Sequence, residues 1–240
     1  MSTIDTCLAV YEDLASEYYD PIRHPTCANF REASSLLLHK WLGRIRSKNG
    51  TFCEVGAGKS LLAESLAMAA VSPGRLIITD SSAAMLSYSR PWAGAHTYLV
   101  LNDATRLALA DNRCDLLVSS LGDPYNVQAF WDGVCRVLKS GGLMIFTTPA
   151  DAWAKAFRTN SHSDLSLAQF DLRDGESVDV SSWIYPKEKQ IEIIEKSGLH
   201  FLERSVVTIC EIGSTELSPK LMLERGSEAE IVEGYLITKP

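Results

Sequence analysis

The 240-residue chain is poor in several features that would commit a protein early. It has no uninterrupted apolar run of the ~18 residues that a membrane-spanning helix needs. The opening stretch MSTIDTCLAVYEDLASEYYD carries acidic residues and no basic leader, so no secretory signal is expected. Six cysteines are scattered without a single C-x-x-C pair, which argues against a disulfide framework and against a zinc site; no metal is expected. Cys53, Cys114 and Cys210 fall in expected strands, where a free thiol behaves as a small hydrophobe, and a reducing cytoplasm is the expected compartment. Basic residues are also in deficit. A formal charge of −7 and a pI near 5.3 make nucleic acid an unfavoured partner, because phosphate neutralisation demands clustered Lys and Arg. The one basic cluster, His39, Lys40, Arg44, Arg46 and Lys48, reads as the solvated end of a helix, with an RNA or phosphate surface as the alternative.

What the chain does have is a strand, a glycine turn and a helix in immediate succession. Thr51 to Val55 is apolar and β-branched, Gly56-Ala57-Gly58 turns, and an alanine- and leucine-rich segment without proline follows to Ala70. Such a turn brings a ligand close to the main chain, and the helix start favours anionic or oxygen-rich groups. Three patterns meet here. Gly58-Lys59-Ser60 ends like a phosphate-binding P-loop, but Cys53 stands where its first glycine belongs. Gly56 and Gly58 suit a dinucleotide turn, but Leu61 replaces its third glycine. Glu54, Gly56 and Gly58 resemble the E/D-x-G-x-G-x-G turn of class I S-adenosylmethionine (SAM) methyltransferases, departing at Ser60.

The remaining chain predicts an alternating α/β protein: a mostly parallel sheet of seven strands with helices on both faces and an antiparallel last strand. Helices are expected over 4–20 and 28–47, the second with the stripe Phe30, Ser34, Leu37, Leu38, Trp41 and Ile45. Strands are expected at 51–55, 75–79, 96–101, 115–119 and 143–148, alternating with helices at 58–70, 82–90 and 125–138. A hairpin around Asp174-Gly175, a helix at 186–197 and strands at 200–211 and 230–238 complete the reading, with a short helix between 216 and 224. One domain is expected, divided into an N-terminal helical cap (1–48), a cofactor-binding half (49–149) and an acceptor-covering part (150–240).

Downstream residues separate the three patterns. Asp80 ends the second strand, 22 residues after Gly58, where a carboxylate can accept from both hydroxyls of a ribose. Asp103-Ala104 follows the third strand, and VCRVLKSGGLMIF, Val134 to Phe146, supplies a helix, a Gly-Gly turn and a fifth strand. In this order the motifs resemble the class I SAM methyltransferases, in their small-molecule branch, strongly over residues 50–150 and weakly elsewhere. The resemblance implies SAM as cofactor and S-adenosylhomocysteine as its product. It implies a cofactor site built from Tyr19, Glu54, Gly56, Ala57, Gly58, Asp80, Ser81, Met85, Asp103, Ala104, Ser119 and Ser120. Glu54 then orients the methionine amino group or the loop itself, and Asp103 meets the adenine.

Tyr18-Tyr19-Asp20 with Arg23-His24 is similar to the lid of small-molecule methyltransferases. Tyr18, Asp123, Tyr125, Asn126, Trp153, Arg158 and His162 are the expected acceptor contacts, suiting a planar or anionic molecule. No catalytic residue is assigned; His24, Tyr19 and Asp123 are the candidates, because a base is needed only for an acceptor that must lose a proton. Helix capping by Asp80 and Asp103, core packing by a tyrosine and simple sheet cover by 150–185 are the structural alternatives. An RNA or DNA methyltransferase, or a SAM-binding partner subunit without catalysis, are the alternative functions. Oligomeric state is left open.

Overall fold

The computed structural model describes residues 10–45, 49–157, 165–213, 216–222 and 228–240. Its main sheet is built from β1 (Thr51–Val55), β2 (Arg75–Asp80), β3 (Thr97–Leu101), β4 (Cys114–Ser119), β5 (Leu138–Pro149), β8 (His200–Thr208) and β9 (Glu230–Thr238). The order is β3-β2-β1-β4-β5-β9-β8. β1 to β5 pair in parallel, while β9 runs antiparallel to both β5 and β8, between which it lies. β6 (Leu165–Asp171) and β7 (Ser177–Trp183) form a separate antiparallel hairpin.

Alternation along the strands divides the core in two. Phe52, Leu116, Val118 and Ile145 meet one set of helices, α1 (Pro25–Leu42) and α2 (Leu61–Met68). Cys53, Val55, Leu117 and Phe146 meet α4 (Gln128–Val137) and α6 (Lys187–Lys196) on the other face. Short helices α3 (Ala83–Ser87), α5 (Asp151–Phe157) and α7 (Pro219–Met222) fill the connections. Trp41 lies against Gly234 so closely that a Cβ there would sit 2.8 Å from the indole. The N-terminal helix is thereby seated on the antiparallel strand.

Several expected boundaries shift for identifiable reasons. α2 begins at Leu61, not 58, because the glycine turn occupies the preceding residues and Ser60 caps the helix by accepting from the Ala63 N–H at 3.0 Å. β5 begins at Leu138, before the glycines, because Leu138 already pairs with Cys114; Gly141 then turns within the strand at φ +74°. α1 begins at Pro25 in its first turn and ends at Leu42. Residues 10–14 are helical, but 15–19 are turns. A helix sets adjacent side chains about 100° apart, and the turn instead lets Tyr18 and Tyr19 both face inward.

Candidate functional site

The carboxyl ends of β1, β2, β3 and β4 open into a cavity of about 840 Å³. This is the edge at which open α/β sheets bind ligands. The cavity is walled by the turns after those strands, by one side of α1, and by Tyr11, Tyr18 and Tyr19 of the N-terminal segment, with Ser181 and Trp183 of the hairpin.

The glycine turn forms its floor. Gly56 and Gly58 have φ of +63° and +48°, values that favour glycine. Each also gives way to a tyrosine hydroxyl. A Cβ on Gly56 would lie 2.1 Å from the Tyr125 oxygen, and one on Gly58 would lie 2.1 Å from the Tyr19 oxygen. The Tyr19 hydroxyl accepts from the Lys59 N–H at 2.7 Å, and the Tyr125 hydroxyl donates to the Val55 carbonyl at 2.8 Å. Burial holds both phenols well above their ordinary pKa, so both remain protonated.

Glu54 is almost fully buried and turned toward its own helix. Its carboxylate accepts from Ser60 Oγ and from the Leu61 and Leu62 N–H groups at 3.1 and 3.2 Å. Of the two expectations for Glu54, the geometry is that of orienting the loop. Burial pushes its carboxyl up to about 7 against these bonds. Asp80 accepts from the Gly58 N–H at 2.8 Å and from the Ser82 N–H at 2.9 Å, and burial raises its pKa. Asp103 accepts from Thr105 through both its N–H and its hydroxyl, each at 2.8 Å. These carboxylates therefore cap and line the cavity at once; capping and ligand contact are not exclusive, since each oxygen has two acceptor sites. Ser81, Met85, Ala104 and Ser120 line the same cavity. Ser119 lies behind it, fully buried, with its Oγ 2.9 Å from the Tyr125 hydroxyl.

The cover is held by polar contacts. Glu12 accepts from the Ala83 N–H at 2.6 Å, and Tyr88 donates to the Ala15 carbonyl at 2.7 Å, fixing one end of the lid to α3. At its other end the Glu17 carboxylate accepts from the Arg173 N–H at 3.0 Å and from Arg23 Nε at 2.8 Å. The lid thus spans from α3 to the hairpin. Asp123 accepts from Ser182 Oγ, and Asn126 donates to the Trp183 carbonyl at 2.9 Å and to Gln190 Oε1 at 2.6 Å.

Not every expected acceptor contact faces the cavity. Asn126 is fully buried and also accepts from Trp131 Nε1 at 2.8 Å, so it ties the β4 loop to the hairpin and α6. Trp153 packs edge-on to Phe30 in the core, 4.6 Å between centroids. His24 is buried beside Glu17, 3.7 Å away, and against Phe170, and burial lowers its pKa. Tyr18 and Tyr125 do line the cavity, whereas Asp123 is buried just behind Pro124. Arg158 and His162 lie outside the described residues.

The sequence reading also passed over the polar stripe of α1. Arg31, Ser35 and His39 recur at helical spacing opposite the apolar stripe, and all three line the cavity. The Arg31 guanidinium lies 5.4 Å from the Tyr19 ring centroid and donates to Glu64 at 2.9 Å. Of the basic cluster, Lys40 and Arg44 reach Glu203 at 3.4 and 2.5 Å. Among the described residues no group of three or more His, Cys, Asp or Glu is arranged to hold a metal ion, and no helix is long and apolar enough to cross a membrane.

Comparison with known proteins agrees with this architecture. Residues 53–146 match the family model of the methyltransferase domain. No curated protein matches the sequence. An S-adenosylmethionine-dependent methyltransferase from Clostridium acetobutylicum is 17% identical at a TM-score of 0.59, covering 99% of each chain. The CcbJ methyltransferase of Streptomyces caelestis is 14% identical at 0.64, covering 95% of this chain and 97% of its own. DhpI, solved as a complex with SAM and HEP, is 16% identical at 0.63, covering 98% of this chain and 97% of its own. At such identity these neighbours speak to fold alone. Residues 53–146 thus match a methyltransferase domain, and the whole chain has the fold of the S-adenosylmethionine-dependent methyltransferases to which it is similar.

Proposed function

We propose that the chain methylates a small molecule enclosed beneath the lid and hairpin. The observation that carries this is the double cover: the lid joins α3 to the Arg173 turn, and Ser182 and Trp183 join the hairpin to the β4 loop. A cavity of about 840 Å³ is within the ~300–1,000 Å³ usual for small ligands. The nucleic-acid alternative has less support, because Lys40 and Arg44 of the basic cluster already meet Glu203. A cytoplasmic location is part of this reading.

The residues present fit the cofactor. Asp80 retains acceptor sites toward the cavity for a ribose diol, and Asp103 with Ala104 stands on the adenine side. Arg31 offers a guanidinium to the methionine carboxylate, backed by the Tyr19 ring. Ser81, Met85 and Ser120 complete the walls. The turn amides are less available than the sequence suggests, since Asp80 and Tyr19 take the Gly58 and Lys59 N–H groups. When bound, SAM supplies a methyl group already activated as a sulfonium. The chain's own work is to align the acceptor and exclude water.

The test pairs two measurements. Titration with S-adenosylhomocysteine should give saturable binding and a raised melting temperature. Asp80→Ala should weaken that binding by about 1.5–3 kcal/mol, the scale of hydrogen bonds to a charged group. Binding as tight as in the parent would remove Asp80 from the ribose. A screen of small-molecule extract with methyl-labelled SAM should then yield a labelled product by mass spectrometry, and labelled RNA or DNA in its place would overturn the small-molecule reading.

A further inference from the structure

The end of the cavity that faces the hairpin differs from the cofactor end. Where lid and hairpin meet the cavity, its lining includes the rings of Tyr11, Tyr18 and Trp183, with Ser181 beside Trp183 in the hairpin strand. The two permanent cations of the cavity, Arg31 and Lys59, sit between α1 and α2, where both reach Glu64 at 2.9 and 3.7 Å. Near Tyr18 lies the Asp123 carboxylate, buried and held by Ser182.

Neither the Tyr18 hydroxyl nor the Cys27 thiol is a base at neutral pH. Burial above all keeps the Tyr18 hydroxyl protonated and pushes the Cys27 thiol up to about 12. His24 is turned to Glu17 and does not line the cavity. An alcohol or phenol acceptor would have only the Asp123 carboxylate, already engaged by Ser182, to take its proton, and an anionic acceptor would be repelled by that same carboxylate. Aromatic faces backed by a carboxylate favour a positive charge.

Resting on the methyltransferase reading, we propose that the acceptor is an amine whose nitrogen is received between Tyr18 and Trp183, with Asp123 behind it. The amine reacts as its free base. Its lone pair forms the new N–C bond to the transferred methyl carbon while the C–S bond breaks, and the sulfur keeps that electron pair as the thioether of S-adenosylhomocysteine. The positive charge passes from sulfur to nitrogen. A tertiary amine becomes a quaternary ammonium with no proton to lose; a secondary amine releases one proton to solvent afterwards. The aromatic walls hold the charge at the place where it develops.

The test uses the full chain with S-adenosylhomocysteine and three probes of similar shape: trimethyl(2-phenylethyl)ammonium, the uncharged (3,3-dimethylbutyl)benzene and 3-phenylpropanoate. Calorimetry should show the ammonium binding at least about tenfold tighter than either other probe, the scale of a desolvated cation–π contact. Asp123→Asn, which keeps an oxygen for Ser182, should erase most of that preference, and Tyr18→Phe should keep it because the ring remains. With methyl-labelled SAM, N,N-dimethyl-2-phenylethylamine should give the quaternary product. Tighter binding of the carboxylate, or equal binding of all three, overturns the amine proposal while leaving the methyltransferase reading intact. Absence of S-adenosylhomocysteine binding would instead strike that underlying reading.

Discussion

The sheet and its cover are held by different kinds of contact. The glycine turn rests on strands in continuous register, with apolar side chains filling both faces. The lid and hairpin are fastened by a handful of side chains reaching distant backbone: Glu17 to Arg173, Asn126 to Trp183, Glu12 to Ala83. A sheet of this kind opens as one unit, whereas a cover held at points can open locally. The difference suits a site that must keep its floor fixed while ligands enter and leave.

The sharpest way to break this comparison is to place a methyl group on the floor. Gly56→Ala combines a φ of +63° with a contact of 2.1 Å to the Tyr125 oxygen. We expect a loss of about 3 kcal/mol or more in urea unfolding, from strain and overpacking together. A loss under about 1 kcal/mol would mean that the turn is not rigidly gripped.

Next in size is a fastening of the cover. Asn126→Ala leaves the Trp131 Nε1–H, the Trp183 carbonyl and Gln190 short of a partner. The expected loss is about 2–3 kcal/mol, the cost of stranding buried polar groups. Its location is more telling than its size: hydrogen exchange should accelerate in the hairpin while β1 and β4 stay protected. Uniform acceleration would merge the two regions into one cooperative unit.

Glu54 sharpens the comparison through pH. Its folded pKa of about 7 exceeds the ordinary 4.5, so the folded chain holds this proton over a range where the unfolded chain has lost it. Stability from this group is therefore complete below about pH 4.5 and declines as pH rises toward 7. Glu54→Gln, which stays neutral, should gain on the parent across that window by on the order of 2 kcal/mol. A parallel pH dependence in the two proteins would place the titration elsewhere.

The smallest effect belongs to the hairpin tip. Gly175 has φ +90° but open space around it, so Gly175→Ala should cost about 1 kcal/mol from backbone strain alone. Equal losses at Gly56 and Gly175 would show that conformation, and not the tyrosine contact, sets the price of a side chain on the floor.

Sequence served the sheet better than its cover for the same reason. Thr51–Val55 and Glu230–Thr238 are strands as expected, because apolar patterning and turn residues act locally. Asp80 and Asp103 could be put at strand ends by counting. Whether Asn126 faces ligand or protein depends on Gln190, 64 residues later, and no local pattern carries that direction. Trp153 was similarly expected over the cavity, yet Phe30 draws it into the core. Arg31 and His39 were legible in principle: the helical period that marks an apolar stripe marks its polar opposite, which the sequence reading did not follow.

The position of β9 has a consequence for how the chain is made. Glu230–Thr238 lies between β5 and β8, so β8, though synthesised earlier, has no neighbour in the sheet until β9 arrives. Trp41 likewise waits for Gly234, nearly 200 residues downstream, to cover it. Until residues 230–238 have emerged, the first five strands can assemble, but the indole lacks its Gly234 cover and the inner edge of β5 remains unpaired. Closure of the fold therefore waits on residues 230–238, and a nascent chain stalled before residue 230 would present a sticky edge to chaperones.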